Sequence, residues 1–254
     1  MSSIIISSVP IYGLASVYLQ QANMSFDLKS EKDVKEYVEN LGIEYRFGCY
    51  SEKKPESCHL LADYFEGIKK DFERAAIVYK STCDDYGLAE SCHKYASYAF
   101  TGKGCKQDVE GAMRYFTRGC EAGGMQSCLN AGLMHLTGAT SNGQTKDVPR
   151  ALELIEKSCA GNNPTGCYYL SGLYISGVKG HHEKDMKTAF RHALKACELG
   201  NMYACSNVSQ MYRKGDGVEK NEKLGAEFKQ RALDMQEQVK SQLNVGFQQG
   251  AEGS

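Results

Sequence analysis

The sequence predicts an all-α fold, an α-solenoid of helix-turn-helix repeats, from its cysteine spacing, its helical apolar period and its regularly placed glycines. Successive first cysteines of five spaced pairs lie 34, 37, 39 and 38 residues apart. Two helices in a unit of this length are typical of an α-solenoid. The pairs are Cys49 and Cys58, Cys83 and Cys92, Cys120 and Cys128, Cys159 and Cys167, and Cys197 and Cys205.

The first helix of each unit is predicted to begin near the second cysteine of a pair. Counted from that cysteine, positions 0, 3, 4 and 7 share one helical face. Position 4 is always small, which lets a neighbouring helix approach, and a later glycine is expected to end the helix. The small residues are Ala62, Ala96, Gly132, Ser171 and Ser209, and the glycines are Gly67, Gly102, Gly138, Gly177 and Gly215.

The second helix is predicted to end at the next first cysteine. An Asp twelve residues before that cysteine is expected to cap the helix, and an Ala eight residues before it is expected where two helices cross. In the last unit this helix is predicted from about Glu222, with Ala226 as the alanine and Asp234 in place of the cysteine. The aspartates are Asp71, Asp108, Asp147 and Asp185, and the alanines are Ala75, Ala112, Ala151 and Ala189.

The chain divides into four parts. Residues 1–24 are predicted to be a disordered extension, with Met24 as an alternative start and a weak secretory signal as another interpretation. Residues 25–48 are predicted to contain an N-terminal helix, and residues 49–240 hold the repeats and a capping helix. Residues 241–254 are predicted to be a flexible tail.

The composition argues against two classes of function. Lys and Arg number 30 against 31 Asp and Glu, without a strong basic block, so nucleic acid is not predicted as a partner. No apolar run approaches the length that a membrane-spanning helix needs, so the chain is predicted not to span a membrane.

The paired cysteines are predicted to form five local disulfides, each within its own pair. Zinc sites favour cysteines two to four residues apart and redox dithiols favour Cys-x-x-Cys, and neither pattern occurs. Reduced buried cysteines and a metal site remain the alternatives. Disulfides persist in oxidising compartments, and the first residues do not make a convincing signal peptide. Together these two observations favour the mitochondrial intermembrane space, with secretion as the alternative.

Cys105 is the eleventh cysteine and has no partner under the repeat rule. It is a candidate free thiol in a loop, and we expect Lys103 and Lys106 to stabilise its thiolate. Two interpretations remain open for it, an idle surface thiol and a thiol that forms mixed disulfides with partner or import proteins.

Several segments resemble known families. The units are similar to Sel1-like repeats, which are TPR-like, and to the cysteine-rich Hcp proteins of bacteria. The stretch from Ser25 to Met235 resembles the animal Sel1-repeat assembly factors of cytochrome c oxidase. The segments that carry this likeness are "VKEYVEN", "CYSEKKPESCHLLADYFEGIKKDF", "GKGCKQD", "KACELGNMYACSN" and "MYRKGDGVEKNE".

The resemblance implies a protein of the intermembrane space that helps to assemble respiratory-chain complexes, chiefly cytochrome c oxidase (complex IV). The partners it implies are respiratory-chain assembly proteins, copper-delivery proteins and the oxidative import receptor of that compartment. It also implies haem as a cofactor and, as an alternative function, thiol–disulfide reductase activity toward copper-delivery proteins. The bacterial relatives imply a third function, a secreted protein with β-lactamase-type activity.

The histidines give no firm ligand assignment. His59 and His93 each follow the second cysteine of a pair and are predicted to repeat one structural position. His135 is predicted to be a packed core residue, and His181 and His182 are predicted to be solvated in a loop. Covalent haem of the c type is not predicted, because no Cys-x-x-Cys-His occurs.

No catalytic residue is assigned from the sequence. Ser51 begins "SEKK", a Ser-x-x-Lys match, but the partner motifs Ser-Asp-Asn and Lys-Thr-Gly do not occur. Tyr174 and Tyr212 are expected on the concave face, partly as core and partly as binding surface. An interaction scaffold and a thiol–disulfide enzyme therefore remain as the two classes of function.

Overall fold

The computed structural model describes residues 30–139 and 146–248, and most of these residues are helical. Within them, extended pairing is limited to an isolated bridge between Val178 and His182. The described helices are α1 (Glu31–Tyr50), α2 (Pro55–Gly67), α3 (Phe72–Tyr86), α4 (Ala89–Thr101), α5 (Val109–Glu121), α6 (Met125–Thr137), α7 (Val148–Ala160), α8 (Pro164–Ser176), α9 (Met186–Glu198), α10 (Met202–Lys214) and α11 (Glu222–Gln248).

The helices form an array of antiparallel pairs. The first helices of the units, which we call helices A, are α2, α4, α6, α8 and α10, and the second helices, helices B, are α3, α5, α7, α9 and α11. Each helix packs mainly against the helix before it and the helix after it. This nearest-neighbour packing is that of a solenoid, so the predicted fold class is confirmed.

The predicted aspartate caps are present. Asp71, Asp108, Asp147 and Asp185 each accept a hydrogen bond from a backbone N–H three residues further on, at 2.7 to 3.1 Å. Such a bond satisfies one of the free N–H groups at a helix start. Because the cap fixes where each helix B begins, the alanine four residues later is carried to the crossing point. All four of these alanines are fully buried: Ala75, Ala112, Ala151 and Ala189.

The last unit departs from the prediction by one residue. Asn221 caps α11, accepting from the Leu224 N–H at 2.9 Å. Gly225 is therefore the buried crossing residue, and its carbonyl accepts from Ser209 Oγ at 2.6 Å. Ala226, predicted for that place, is exposed. By the same count Leu233, rather than Asp234, stands where the cysteine would be.

The glycines end most, but not all, of helices A. Gly177 follows the end of α8 with a positive φ of 70°, but its ψ of 164° is extended, so it is not a left-handed cap. The prediction for Gly67 is wrong, because it lies within the last turn of α2 and the right-handed Ile68 follows it. The positive φ in that loop belongs to Lys70, at 54°. The left-handed caps are Gly102, Gly138 and Gly215.

The small residues at position 4 lie where helix A meets helix B. A Cβ on Gly132 would lie 2.8 Å from Cγ1 of Ile155. Ser171 instead donates from Oγ to the carbonyl of Ala189 at 2.9 Å. Since Gly132 and Ser171 each have a helix B backbone against them, a larger side chain there would force the two helices apart.

The two ends of the array differ from the predicted boundaries. The first described helix includes Cys49, and residues 241–248, predicted as part of a flexible tail, continue α11. None of the described helices, these two long ones included, is apolar enough over its length to cross a membrane. Residues 1–24, predicted as an extension, and residues 249–254 lie outside the described residues.

Candidate functional site

Five disulfides join the units end to end. Each one connects the last turn of a helix to the first turn of the next helix A, with Cα atoms 4.4 to 4.8 Å apart. The cysteines are at most 5% exposed, and the described residues contain no cluster suited to a metal ion. The prediction of a disulfide-linked solenoid is confirmed. The bonds are Cys49–Cys58, Cys83–Cys92, Cys120–Cys128, Cys159–Cys167 and Cys197–Cys205.

A second link between units was not predicted. Lys157 donates from Nζ to the carbonyl of Cys120 at 3.2 Å, and Lys195 donates to the carbonyl of Cys159 at 2.8 Å. Each lysine thus caps the preceding helix B at the end where carbonyls lack partners and cations are favoured. A basic residue two places before a first cysteine, also present as Arg118, is the signal that could have identified this link.

An ionic network ties the first unit to the second. Tyr79 donates from its hydroxyl to both Asp63 and Glu66. Glu66 also accepts from Lys94 at 2.8 Å and from Lys103 at 2.9 Å. Burial raises the pKa of Glu66, but these two ammonium groups outweigh it and lower the pKa to about 2. Glu66 is therefore a carboxylate at any ordinary pH and holds both lysines.

Cys105 lies next to this network and is not disulfide-bonded. It is half-buried and packs against two of the apolar clusters of the core. Burial and, secondarily, the negative charge of Asp108 raise the pKa of its thiol. The expected stabilisation of the thiolate is wrong, because the Lys103 ammonium is bound to Glu66 and lies over the ring of Phe72, 4.2 Å from its centroid.

Alkylation of the native, oxidised chain is expected to label Cys105 slowly and no other cysteine. The thiolate is the reactive form, and the raised pKa of this thiol keeps its population small at neutral pH. The labelling rate should therefore increase as the pH rises, and Cys105→Ser should abolish labelling, both measured by mass spectrometry. Labelling of any cysteine of the five disulfides would contradict the pairing.

His59 and His93 occupy equivalent positions, as predicted. Nδ1 of His59 lies 2.9 Å from Oγ of Ser91, and Nδ1 of His93 lies 3.3 Å from Oγ of Ser127. Each serine comes directly before the second cysteine of the next pair. The two histidines therefore belong to the contact between successive helices A, and both line a groove of about 420 Å³.

Ser91, His59 and Asp63 have the residue types of a hydrolase triad. Nε2 of His59 lies 3.6 Å from the Asp63 carboxylate. Ser91 is fully buried, however, so its hydroxyl cannot reach a substrate carbonyl. Ser51 of "SEKK" is exposed at the end of α1, and the lysine of that motif, Lys54, pairs with Glu52 at 2.8 Å.

The remaining predicted residues are divided between packing and surface. His135 is half-buried and His181 is exposed, whereas His182 stacks on Tyr174 with ring centroids 4.6 Å apart. The prediction that His182 is solvated is therefore wrong: the Tyr174 ring covers it and leaves its Nε2 buried. Tyr212 stacks on Phe228 at 5.6 Å, so both predicted tyrosines contribute to packing.

Comparison with known proteins agrees with the repeat architecture. The sequence model of the Sel1 repeat matches residues 55–81, 89–124, 126–163, 164–201 and 203–236. The crystal structure of a Sel1 repeat protein from Oxalobacter formigenes superposes with a TM-score of 0.68 at 18% identity, over 78% of this chain and 82% of that chain. At that identity the superposition shows the fold alone.

Two relatives extend the comparison to nearly their whole lengths. The cytochrome c oxidase assembly factor 7 homolog of Drosophila melanogaster is 51% identical over 89% of this chain and 98% of its own length. Cytochrome c oxidase assembly factor 7 of Xenopus tropicalis is 41% identical over 87% of this chain and 97% of its own. The chain belongs to the cytochrome c oxidase assembly factor 7 family. The Sel1 matches cover most of this chain.

Haem is the cofactor that the resemblance implies for members of the cytochrome c oxidase assembly factor 7 family. Histidine and methionine are among its axial ligands. The groove beside His59 and His93 also contains Met125, but both ring nitrogens of His59 have protein partners. The apolar groove of about 330 Å³ beside Phe116 is lined without a histidine. We therefore assign no haem ligand and derive no step through haem.

Proposed function

We propose that the chain is an assembly factor for cytochrome c oxidase that acts as a disulfide-clamped scaffold for protein interaction. The observation that carries this proposal is the identity of 51% with a relative of that name, over 98% of the relative's length. An array held by five disulfides and by lysine caps presents its surface in a fixed shape, which lowers the entropy cost of binding a partner.

An aromatic surface near the C-terminal end of the array is suited to such binding. Tyr203 is 61% exposed and Tyr169 is 41% exposed, and both rings contact Tyr168 between them. Tyrosine is enriched where protein interfaces gain most of their binding energy. This surface is therefore our candidate for the partner contact.

The proposal places the protein in the mitochondrial intermembrane space. Five buried disulfides are typical of an oxidising compartment, and the assembly of cytochrome c oxidase favours a mitochondrial one. Its partners in the proposal are respiratory-chain assembly proteins, with copper-delivery proteins among them and the oxidative import receptor during entry. Protease treatment of intact mitochondria should leave the protein whole, and rupture of the outer membrane should expose it.

The function is tested in Drosophila melanogaster cells that lack the 51% identical relative. Expression of this chain is expected to restore assembled cytochrome c oxidase, measured on native gels and by oxidase activity. The double variant Tyr169→Ala and Tyr203→Ala should lose most of the rescue at unchanged thermal stability.

Tyr86→Ala is the matched control for that variant. Tyr86 is 42% exposed, close to the value for Tyr169, but it lies at the end of α3. It should rescue as the unchanged chain does. Absence of rescue by the unchanged chain, at normal mitochondrial levels, would refute the assembly role. Full rescue by the double variant would refute only the proposal that the aromatic surface is the partner contact.

A further inference from the structure

The last unit of the array leaves a groove open at its end, with a volume of about 280 Å³. Helix α10 contributes Tyr203 and Ser206 to its lining, and α11 contributes Lys229, Ala232 and Leu233. The side chains of Tyr203 and Leu233 are both exposed, so a large apolar group borders the groove on each side. Through Tyr203 the groove continues the aromatic surface at this end of the array.

In each preceding unit the equivalent place is filled by the next helix A. Helix α4 packs against α3, α6 against α5, α8 against α7 and α10 against α9, and a disulfide joins each of these pairs. Helix α11 instead continues past the groove as one helix to Gln248. Within the part of the chain that the structure describes, no helix has the place of a sixth helix A.

The repeats show how a further helix would lie in the groove. Gln126, two residues before a second cysteine, accepts a hydrogen bond at 2.9 Å from the side chain of Asn163, the N-cap of the next helix A. Tyr203 has the position of Gln126 in the last unit, so the start of a docked helix would lie beside Tyr203. Leu233 has the position of the first cysteine, whose partner in the other units lies in the first turn of the next helix A. The residue of the docked helix that meets Leu233 should therefore be apolar.

Lys229 sets the charge of this groove. It stands four residues before Leu233, where the other units have buried residues without charge. In one of them the ring of Tyr79 lies 5.7 Å from the ring of Tyr98, six residues after the second cysteine of the next helix A. Lys229 is exposed and forms no ion pair within the described residues, so an acidic residue six positions after the apolar one would complement it. The buried equivalents of Lys229 are Tyr79, Phe116, Ile155 and Ala193.

A second copy of the chain fits the groove less well than another protein does. Each described helix A of a second copy already packs between the helix before it and the helix after it. None of them could enter the groove without leaving its own array. Helix α1 carries the first cysteine of a pair, so it has the position of a helix B in the repeat.

We propose that this groove is a docking site for an amphipathic helix of a partner protein, which binds as a sixth helix A. The partner helix carries an apolar residue in its first turn, against Leu233, and an acidic residue six positions later, against Lys229. A helix held in a groove by a few anchoring side chains is a recurring mode of recognition. The proposal rests on the assembly role, because it states the chemistry of the partner segment that the array binds.

The test places a photo-reactive residue in the groove. The full chain with Leu233→benzoylphenylalanine is expressed in the Drosophila melanogaster cells that lack the relative, and after irradiation the cross-linked peptide is sequenced by mass spectrometry. We expect a segment of another protein, with an acidic residue six positions after the cross-linked residue. Leu60→benzoylphenylalanine is the matched control, because Leu60 is a similarly exposed leucine on α2, near the other end of the array. It should not capture that segment.

A synthetic peptide of the captured segment then tests the charge pair on the purified, oxidised chain by isothermal titration calorimetry. Lys229→Glu should weaken binding about fivefold, the effect of one exposed ion pair. Replacing the acidic residue of the peptide with lysine should restore binding to this variant. Lys223→Glu is the control, since Lys223 is another exposed lysine of α11 but lies outside the groove, and it should leave the affinity unchanged.

Two results would overturn the proposal. One is a cross-link from position 233 only to a second copy of this chain, or to no protein. The other is a captured peptide that binds the Lys229→Glu variant as tightly as it binds the unchanged chain. Both results are separate from the rescue experiment: failure of the unchanged chain to restore cytochrome c oxidase would refute the assembly role, whether or not the groove captures a helix.

Discussion

Reduction of all five disulfides is expected to unfold the array at room temperature. In the loop-entropy picture, closing a loop of about nine residues contributes about 2.5 kcal/mol. The five loops do not overlap along the chain, so their contributions add to a total on the order of 12 kcal/mol. This total is comparable with the whole stability of an ordinary domain, about 5–15 kcal/mol. The measurement is far-UV circular dichroism with a thermal scan, before and after reduction and alkylation.

Removal of a single disulfide provides a graded version of the same test. The double variant Cys120→Ala and Cys128→Ala should lower the free energy of unfolding by about 2.5 kcal/mol and leave the chain folded. Cys105→Ser is the control, since Cys105 has no disulfide partner.

The prediction for complete reduction is contradicted if the fully reduced chain keeps its helical signal and a cooperative transition. Packing between the repeats would then be enough to hold the fold without the disulfides.

The fold was predictable because the same sequence features recur in successive units. Cysteine spacing, helix caps and small crossing residues each indicate the same helix boundaries, so a misleading residue in one unit is outweighed by the equivalent residues in the others. The errors fall where the repeat is irregular. In the last unit the cap is Asn221 rather than an aspartate, and the crossing residue is Gly225 rather than the predicted Ala226.

The electrostatics of the candidate sites could not be predicted in the same way. Lys103 was expected to act on Cys105, two residues away, but it binds Glu66, 37 residues away. Nδ1 of His192 lies 3.7 Å from Sγ of Cys159, which is 33 residues away in the sequence. Periodicity places such residues in neighbouring units, but the direction of a side chain depends on packing between the units. Local charge in the sequence is therefore a poor guide to the pKa of Cys105.

Gly217→Ala is expected to be among the most destabilising single substitutions in the array. Gly217 has a φ of +71°, and a Cβ at this position would overlap the backbone carbonyl of Met186, the first residue of α9. The left-handed conformation costs an alanine about 1–2 kcal/mol, and forced separation of packed backbone costs about 1–3 kcal/mol more. We expect a loss of about 2–5 kcal/mol in the free energy of unfolding, measured by urea denaturation.

Gly87→Ala separates the two causes of that loss. Gly87 has a φ of +66°, close to that of Gly217, but a Cβ there would meet no atom within 4 Å. It should therefore show only the conformational cost of about 1–2 kcal/mol. Gly104→Ala, whose Cβ would overlap the carbonyl of Phe72 at the start of α3, should match Gly217→Ala. Equal losses for Gly87→Ala and Gly217→Ala would mean that the loops do not pack against the preceding helix B.

Both overlapping glycines lie against the first residue of a helix B in the preceding unit. The loops after α4 and α10 therefore act as a third link between units, beside the disulfides and the lysine caps.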